Sequence, residues 1–171
     1  MNITRKDNIV LIGMPGAGKS TVGILLAKAL GKNFVDTDLL IQVREDKTLQ
    51  RIMDENDYLH LRQIEEQVLL DIHGGNLVIA TGGSAVYSEP AMTHLSNHGI
   101  VIYLETSLET LRKRIRDYDT RGIARRPDQS FDELFAERTA LYRQYADITV
   151  HSGHLSPEET VSAIVWALRN R

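Results

Sequence analysis

Short apolar runs alternate along the chain with longer segments that show helical periodicity. Five runs are dominated by apolar and β-branched residues, at positions 9–12, 33–35, 77–80, 100–104 and 148–150. Runs that suit burial on both faces and are separated by helices are typical of a parallel sheet covered on each side. The pattern therefore predicts an α/β protein, a three-layer sandwich with a five-stranded parallel sheet and flanking helices.

The helical segments carry recognisable start and stop signals. Gly31 is placed to end the first helix, and capping boxes pair Ser130 with Glu133 and Ser156 with Glu159. In a sheet of alternating strands and helices, ligands bind at the carboxyl ends of the strands. We therefore expect the functional residues in the loops that follow the strands.

The composition indicates one globular domain over residues 1–171. Hydrophobic residues make up 42% of the chain and charged residues 25%, as in ordinary globular domains. The net charge of −3 does not favour nucleic-acid binding, and the absence of cysteine excludes thiolate metal sites. No apolar run is long enough for a membrane span, and the N-terminus lacks a signal-peptide pattern. We expect a cytoplasmic protein without a nucleic-acid or membrane partner and, separately, a monomer.

Residues 13–20, GMPGAGKS, match the phosphate-binding pattern G-x-x-x-x-G-K-[ST] and lie between a predicted strand and a predicted helix. Glycines let phosphate oxygens approach the backbone N–H groups, and the helix start favours an anion. The Lys19 ammonium can reach the β- and γ-phosphates, and the Ser20 hydroxyl suits Mg²⁺. The predicted nucleotide contacts are Gly13, Gly16, Ala17, Gly18, Lys19, Ser20 and Thr21.

A P-loop alone leaves GTPases, transport or motor ATPases and small-molecule kinases open. The chain has no N-K-x-D motif for guanine. Asp36 and Asp38 follow the second strand, one helix after the P-loop, where a compact kinase would need acids near the γ-phosphate. The sequence therefore favours a small-molecule kinase that uses ATP and Mg²⁺.

Taken together, these motifs resemble the shikimate kinase family, P-loop kinases related to nucleoside monophosphate kinases. The resemblance covers nearly the whole chain. It rests on the P-loop, on D-x-D at 36–38, on an arginine-plus-acid helix motif at 62–65, on a glycine triplet written GGS at 82–84, on Arg126-Pro127, and on Arg138 four residues before Tyr142. The family implies strand order 2-3-1-4-5, a substrate-binding insertion at about 38–66 and a lid at about 117–130.

The resemblance also implies the roles of the residues that bind the acceptor. Asp38 would bind its hydroxyl groups and take part in catalysis, and the guanidinium groups of Arg62 and Arg138 would hold its carboxylate. The backbone at Gly82 and Gly83 would close against the ring. The implied reaction is phosphorylation of the 3-hydroxyl of shikimate by ATP.

On the nucleotide side, the family implies that Asp36 holds Mg²⁺ through water, together with Ser20. Arg126 would move in from the lid onto the phosphates and act in catalysis with Lys19, and Arg121 is a candidate contact to adenine. Because the lid has a low apolar content, we expect little buried area to hold it down and expect it to be mobile without ligand.

Three positions depart from the family pattern: Leu61 replaces an aromatic residue, Ser84 the last glycine of the triplet, and Asp128-Gln129 a leucine pair. All three lie on the acceptor or lid side. Two other functions therefore stay open. One is a kinase of the same fold for another small hydroxy acid or sugar acid, and the other is a nucleotide-binding regulatory module with little turnover.

Overall fold

The computed structural model of the protein describes residues 6–116 and 121–171. Their strands form one parallel sheet in the order β2-β3-β1-β4-β5. The strands are β1 (Asn8–Ile12), β2 (Asn33–Asp36), β3 (Leu77–Ala80), β4 (Gly99–Glu105) and β5 (Ile148–His151). The predicted fold class and strand order are confirmed, and the apolar runs coincide with the strands.

The helices surround this sheet, and a 3-10 turn at Ala85–Tyr87 precedes α5. They are α1 (Lys19–Leu30), α2 (Thr37–Glu45), α3 (Leu49–Glu55), α4 (Tyr58–Leu70), α5 (Glu89–His98), α6 (Leu108–Arg114), α7 (Phe131–Tyr145) and α8 (Pro157–Arg169). Gly31 ends α1 in the left-handed conformation, and both predicted capping boxes are formed. Among the described residues, no helix is long and apolar enough to cross a membrane.

The core lies on both faces of the sheet. One apolar cluster joins the sheet to α4, α5 and α7, and the other joins it to α1 and α8. A third, smaller cluster packs α2, α3 and α4 together. Because β3 lies between β1 and β2, the loops after these three strands meet at one edge of the sheet. This arrangement brings the P-loop, the D-x-D segment and residues 82–84 together.

Candidate active site

The P-loop connects β1 to α1 in a conformation that depends on glycine. Gly16 and Gly18 have φ of 83° and 93°, and a Cβ on Gly16 would lie 2.8 Å from Cγ1 of Ile115. Lys19 is buried, and its Nζ donates to the carbonyl oxygens of Gly13 and Met14 at 2.7 and 2.9 Å. The ammonium therefore lies inside the loop, at the N-terminal end of a 12-residue helix that favours an anion.

Asp36 and Ser20 bring two hard oxygen ligands together beside the P-loop. The hydroxyl of Ser20 donates to Oδ2 of Asp36. Oδ1 of Asp36 accepts from the backbone N–H groups of Asp38 and Leu39 and so caps α2. The cap fixes the carboxylate so that Oδ2 faces Ser20. Such a pair suits Mg²⁺, which prefers oxygen ligands and keeps several of its waters.

A cavity of about 320 Å³ opens beside the P-loop, at the carboxyl ends of the central strands. The predicted residues that line it are Gly16, Gly18, Lys19, Ser20, Thr21, Asp38, Gly82, Gly83, Arg121 and Arg138. Gly13, Ala17, Asp36, Arg62 and Arg126 do not line it. A second cavity of about 310 Å³ lies on the other side of the P-loop, where Ala17 and Arg114 form part of its wall.

Two carboxyl groups lie next to each other on the cavity wall. A Cβ on Gly82 would meet Oε1 of Glu65 and would lie 2.8 Å from Oδ1 of Asp38, so only glycine leaves room for both. Burial and the charge of Asp38 raise the pKa of Glu65 to about 7. Burial also raises the pKa of Asp38, although Lys19 opposes this effect. The pair therefore holds less negative charge at neutral pH than two exposed carboxylates would.

Two arginines approach the same space from α4 and α7. Arg138 is only 1% exposed, and its guanidinium donates to the carbonyl of Ala124 at 2.7 Å. Arg62 reaches the same carbonyl at 3.5 Å. Its Cζ lies 3.6 Å from the centre of the Tyr87 ring, and that of Arg138 lies 5.5 Å from it. The tyrosine and the carbonyl therefore hold both guanidinium groups close together.

Three buried polar atoms around this space have no hydrogen-bond partner in the described part of the chain: Nε of Arg62, Nε of Arg138 and Oε1 of Glu65. Buried polar groups in proteins are nearly always paired. Glu65 and Arg138 line the cavity and Arg62 lies beside it, at the carbonyl of Ala124, so their unpaired atoms indicate a ligand there. Two cationic donors and one carboxylate acceptor suit a molecule that has a carboxylate and hydroxyl groups.

In the lid, Arg121 faces the cavity and Arg126 does not, while the movement of Arg126 onto bound nucleotide stays a prediction. Residues 117–120 lie outside the described residues, and Arg126 pairs with Glu137 at 3.3 Å, away from the cavity. Arg121 lines the cavity instead. Burial lowers the pKa of Lys19 to about 8, and the charge of Arg121 adds to this effect. The apolar pair Ile123-Ala124 is buried, so the expectation of little buried area is wrong for residues 121–130.

The sequence pattern assigned no role at this site to two of its residues, Tyr87 and Glu65, although Glu65 is the acid of the motif at 62–65. Glu65 follows Arg62 at i+3, and this spacing predicts a surface ion pair as readily as a buried carboxyl. Its burial depends on contacts with the loop after β3. Tyr87 had no signal of its own, because its role depends on two arginines that are distant in sequence.

The comparisons with known proteins agree with this geometry. A family model described as shikimate kinase matches residues 15–169. The shikimate kinase of Persephonella marina is 37% identical, with 95% of this chain and 99% of that protein aligned, and that of Vibrio parahaemolyticus is 36% identical, with 99% and 100% aligned. The solved shikimate kinase of Acinetobacter baumannii, in complex with shikimate, has a TM-score of 0.88 at 32% identity and covers 96% of this chain and 94% of its own. The predicted class, an ATP-dependent phosphotransferase, is confirmed, and the chain belongs to the shikimate kinase family.

Proposed function

We propose that this protein transfers the γ-phosphoryl group of ATP to the 3-hydroxyl of shikimate. The observation that carries the proposal is the set of unpaired buried atoms on Arg62, Glu65 and Arg138, next to a complete P-loop. Family membership supports the same acceptor. The cytoplasmic location, the monomeric state and the lack of a nucleic-acid partner stay predictions.

The acceptor side supplies the contacts that such a substrate needs. Arg62 and Arg138 bind the carboxylate of shikimate through charge-assisted hydrogen bonds, and Asp38 accepts a hydrogen bond from the reacting hydroxyl. The narrow backbone at Gly82 and Gly83 lets the ring approach. A Cβ on Gly83 would lie 2.6 Å from Nη1 of Arg138, so a side chain there would displace the guanidinium.

The nucleotide side holds the phosphates and the metal. The P-loop N–H groups and Lys19 bind the β- and γ-phosphates, and Ser20 and Asp36 hold Mg²⁺, with Asp36 acting through water. The ion neutralises charge on the phosphates when it is bound. The cavity beside Ala17 and Arg114 accommodates the nucleotide base. Arg114 forms part of its wall and donates to the carbonyls of Gly16 and Gly153 at 3.3 and 3.2 Å, so the guanidinium is fixed next to the P-loop.

We assign the phosphate-facing role in the lid to Arg121 rather than to Arg126. Arg121 lines the cavity with Lys19, and the buried side chains of Ile123 and Ala124, two and three residues later, hold this part of the lid against the protein. A cation at this place stabilises the charge that develops as the phosphoryl group moves. Arg126 instead connects the lid to α7 through Glu137.

A coupled ADP-release assay over a panel of hydroxy acids and sugar acids tests the proposal. We expect rapid turnover with shikimate, dependence on Mg²⁺, and loss of turnover with Lys19→Met. Turnover of another acid but not of shikimate would overturn the acceptor and keep the kinase. Binding of ATP without turnover of any acceptor would favour the regulatory module.

A further inference from the structure

Ser84 places a buried hydroxyl on the wall of the acceptor cavity, where the family pattern has the last glycine of its triplet. The Ser84 hydroxyl donates to Oε2 of Glu65. The backbone of Ser84 has a φ of −93° and a ψ of 0°, a conformation that does not require glycine. A side chain is therefore tolerated at this position, and the hydroxyl of Ser84 is the group that distinguishes this chain from the family pattern.

Glu65 has one oxygen held and one oxygen free. Oε2 accepts from Ser84, while Oε1 is buried, lacks a hydrogen-bond partner and borders Gly82 beside Oδ1 of Asp38. Glu65 itself is 3% exposed and lines the cavity. An unpaired carboxylate oxygen in such a place accepts a hydrogen bond from a ligand.

We propose that Ser84 is a positioning residue of the acceptor site, because it holds Glu65 so that Oε1 receives a hydrogen bond from a second hydroxyl of the acceptor, next to the hydroxyl that Asp38 binds. The inference rests on the proposed function, since it requires an acceptor with neighbouring hydroxyl groups. The two carboxyl oxygens beside Gly82 then recognise a diol, and the arginines recognise the carboxylate.

The charges that face Glu65 set the pH dependence of this contact. They come from Asp38 on α2, Lys19 on α1 and Arg138 on α7. Burial and Asp38 raise the pKa of Glu65 to about 7, and the hydrogen bond from Ser84, with Arg138 and Lys19, opposes that rise. Removal of the hydroxyl therefore raises the pKa further, and more of the carboxyl group is protonated at neutral pH.

The experiment is calorimetric titration of the whole protein with shikimate between pH 6 and pH 9, together with steady-state kinetics. For Ser84→Ala we expect the shikimate Kd and KM to rise about 10- to 150-fold at pH 7, the range for loss of one hydrogen bond to a charged group. The acid limb of the binding profile should move to higher pH, because the pKa of Glu65 rises when the Ser84 hydrogen bond is lost. The KM for ATP should stay within about twofold of wild type.

Ser88→Ala is the matched control. Ser88 caps α5 and donates to Glu66, which follows Glu65 on α4. Neither Ser88 nor Glu66 lines the acceptor cavity. We expect a lower thermal unfolding midpoint, because the cap of α5 is lost, with no change in the shikimate Kd. In a Glu65→Gln background, Ser84→Ala should add little further loss, because both substitutions remove the same contact.

The outcomes separate this inference from the proposed function. If wild type neither binds nor phosphorylates shikimate, the proposed function fails and the inference fails with it. If wild type does both and Ser84→Ala has the same Kd and acid limb, only the role of Ser84 is overturned. A weaker Kd with an unmoved acid limb would indicate a packing effect and would also overturn it. If Ser84→Ala does not fold, Ser84→Gly replaces it, and we expect the same rise in the shikimate Kd and the same shift of the acid limb.

Discussion

The phosphate half and the acceptor half of the active site are built in different ways. The phosphate half centres on one continuous segment, residues 13–20, whose predicted contacts come mostly from the backbone, with Asp36 and Arg121 added from other loops. The acceptor half consists of side chains from separate helices, with Asp38 on α2, Glu65 on α4 and Arg138 on α7. Its charged groups are buried and act on one another.

Because of this difference, substitutions in the two halves should have different effects. The phosphate half depends on glycine conformations and one lysine, so a change there should remove chemistry and leave acceptor affinity in place. The acceptor half depends on buried charges, which destabilise the fold unless they are paired. Changes there should alter acceptor affinity, stability and pH dependence together.

The largest expected effect is that of Lys19→Met. We expect kcat to fall about 10³-fold, because a preorganised cation at the phosphates is lost, while the shikimate Kd stays close to wild type. Since folding lowers the pKa of Lys19 from 10.5 to about 8, it disfavours the ammonium at pH 7, and the variant should be no less stable there. ADP-release kinetics and thermal unfolding measure both. A kcat above a tenth of wild type would contradict the assignment.

Arg121→Ala should lower kcat about 10²-fold and weaken ATP binding much less, because the charge acts mainly as the phosphoryl group moves. Arg126→Ala is the matched control, and we expect a change of no more than about threefold, since Arg126 pairs with Glu137. Single-turnover rates separate the chemical step from binding. A large loss of kcat in Arg126→Ala with little change in Arg121→Ala would assign the phosphate-facing role to Arg126 instead.

Arg62→Ala should raise the shikimate KM about 10- to 150-fold and leave the ATP KM within about twofold. The carboxylate loses a charge-assisted partner, which contributes about 1.5–3 kcal/mol. Arg44→Ala is a control, because Arg44 forms an exposed ion pair with Asp71. An unchanged shikimate KM in the folded Arg62 variant would exclude the carboxylate role.

Ser20→Ala should raise the Mg²⁺ concentration needed for half-maximal rate by about tenfold, because one oxygen ligand is lost. Asp71→Ala, which removes an exposed acid outside both cavities, should leave that concentration unchanged. Titration of the initial rate with Mg²⁺ at saturating ATP measures the effect. Equal behaviour of the two variants would argue against the metal assignment.

The last prediction concerns stability and not activity. Folding raises the pKa of Glu65 from 4.5 to about 7, so the stability that its protonated form provides is complete below pH 4.5 and is lost as pH rises through 7. Glu65→Gln stays neutral, and its free energy of unfolding relative to wild type should increase by up to about 3 kcal/mol between pH 5 and pH 8. Urea unfolding at both pH values tests this, with Glu66→Gln as control. The same difference at both pH values would mean that Glu65 is not a buried titrating group.

Features that depend on neighbours along the chain could be predicted from the sequence. The five strands, the capping boxes and the P-loop could be predicted because apolar periodicity, caps and glycine conformations are local properties. The strand order followed from the family resemblance. That strand order places Asp36 and Asp38 beside the P-loop, as their position one helix after the P-loop had suggested.

Only the tertiary structure decided how distant side chains meet. Residues 121–130 contain three arginines, and the sequence alone did not show that Arg121 lines the cavity while Arg126 turns to Glu137. In the same way, Glu65 could have been an exposed helix residue. Its burial against Ser84 and Asp38 depends on the packing of α4 against the loop after β3. Side-chain direction and burial depend on contacts between elements that are far apart in the chain, and no local pattern encodes them.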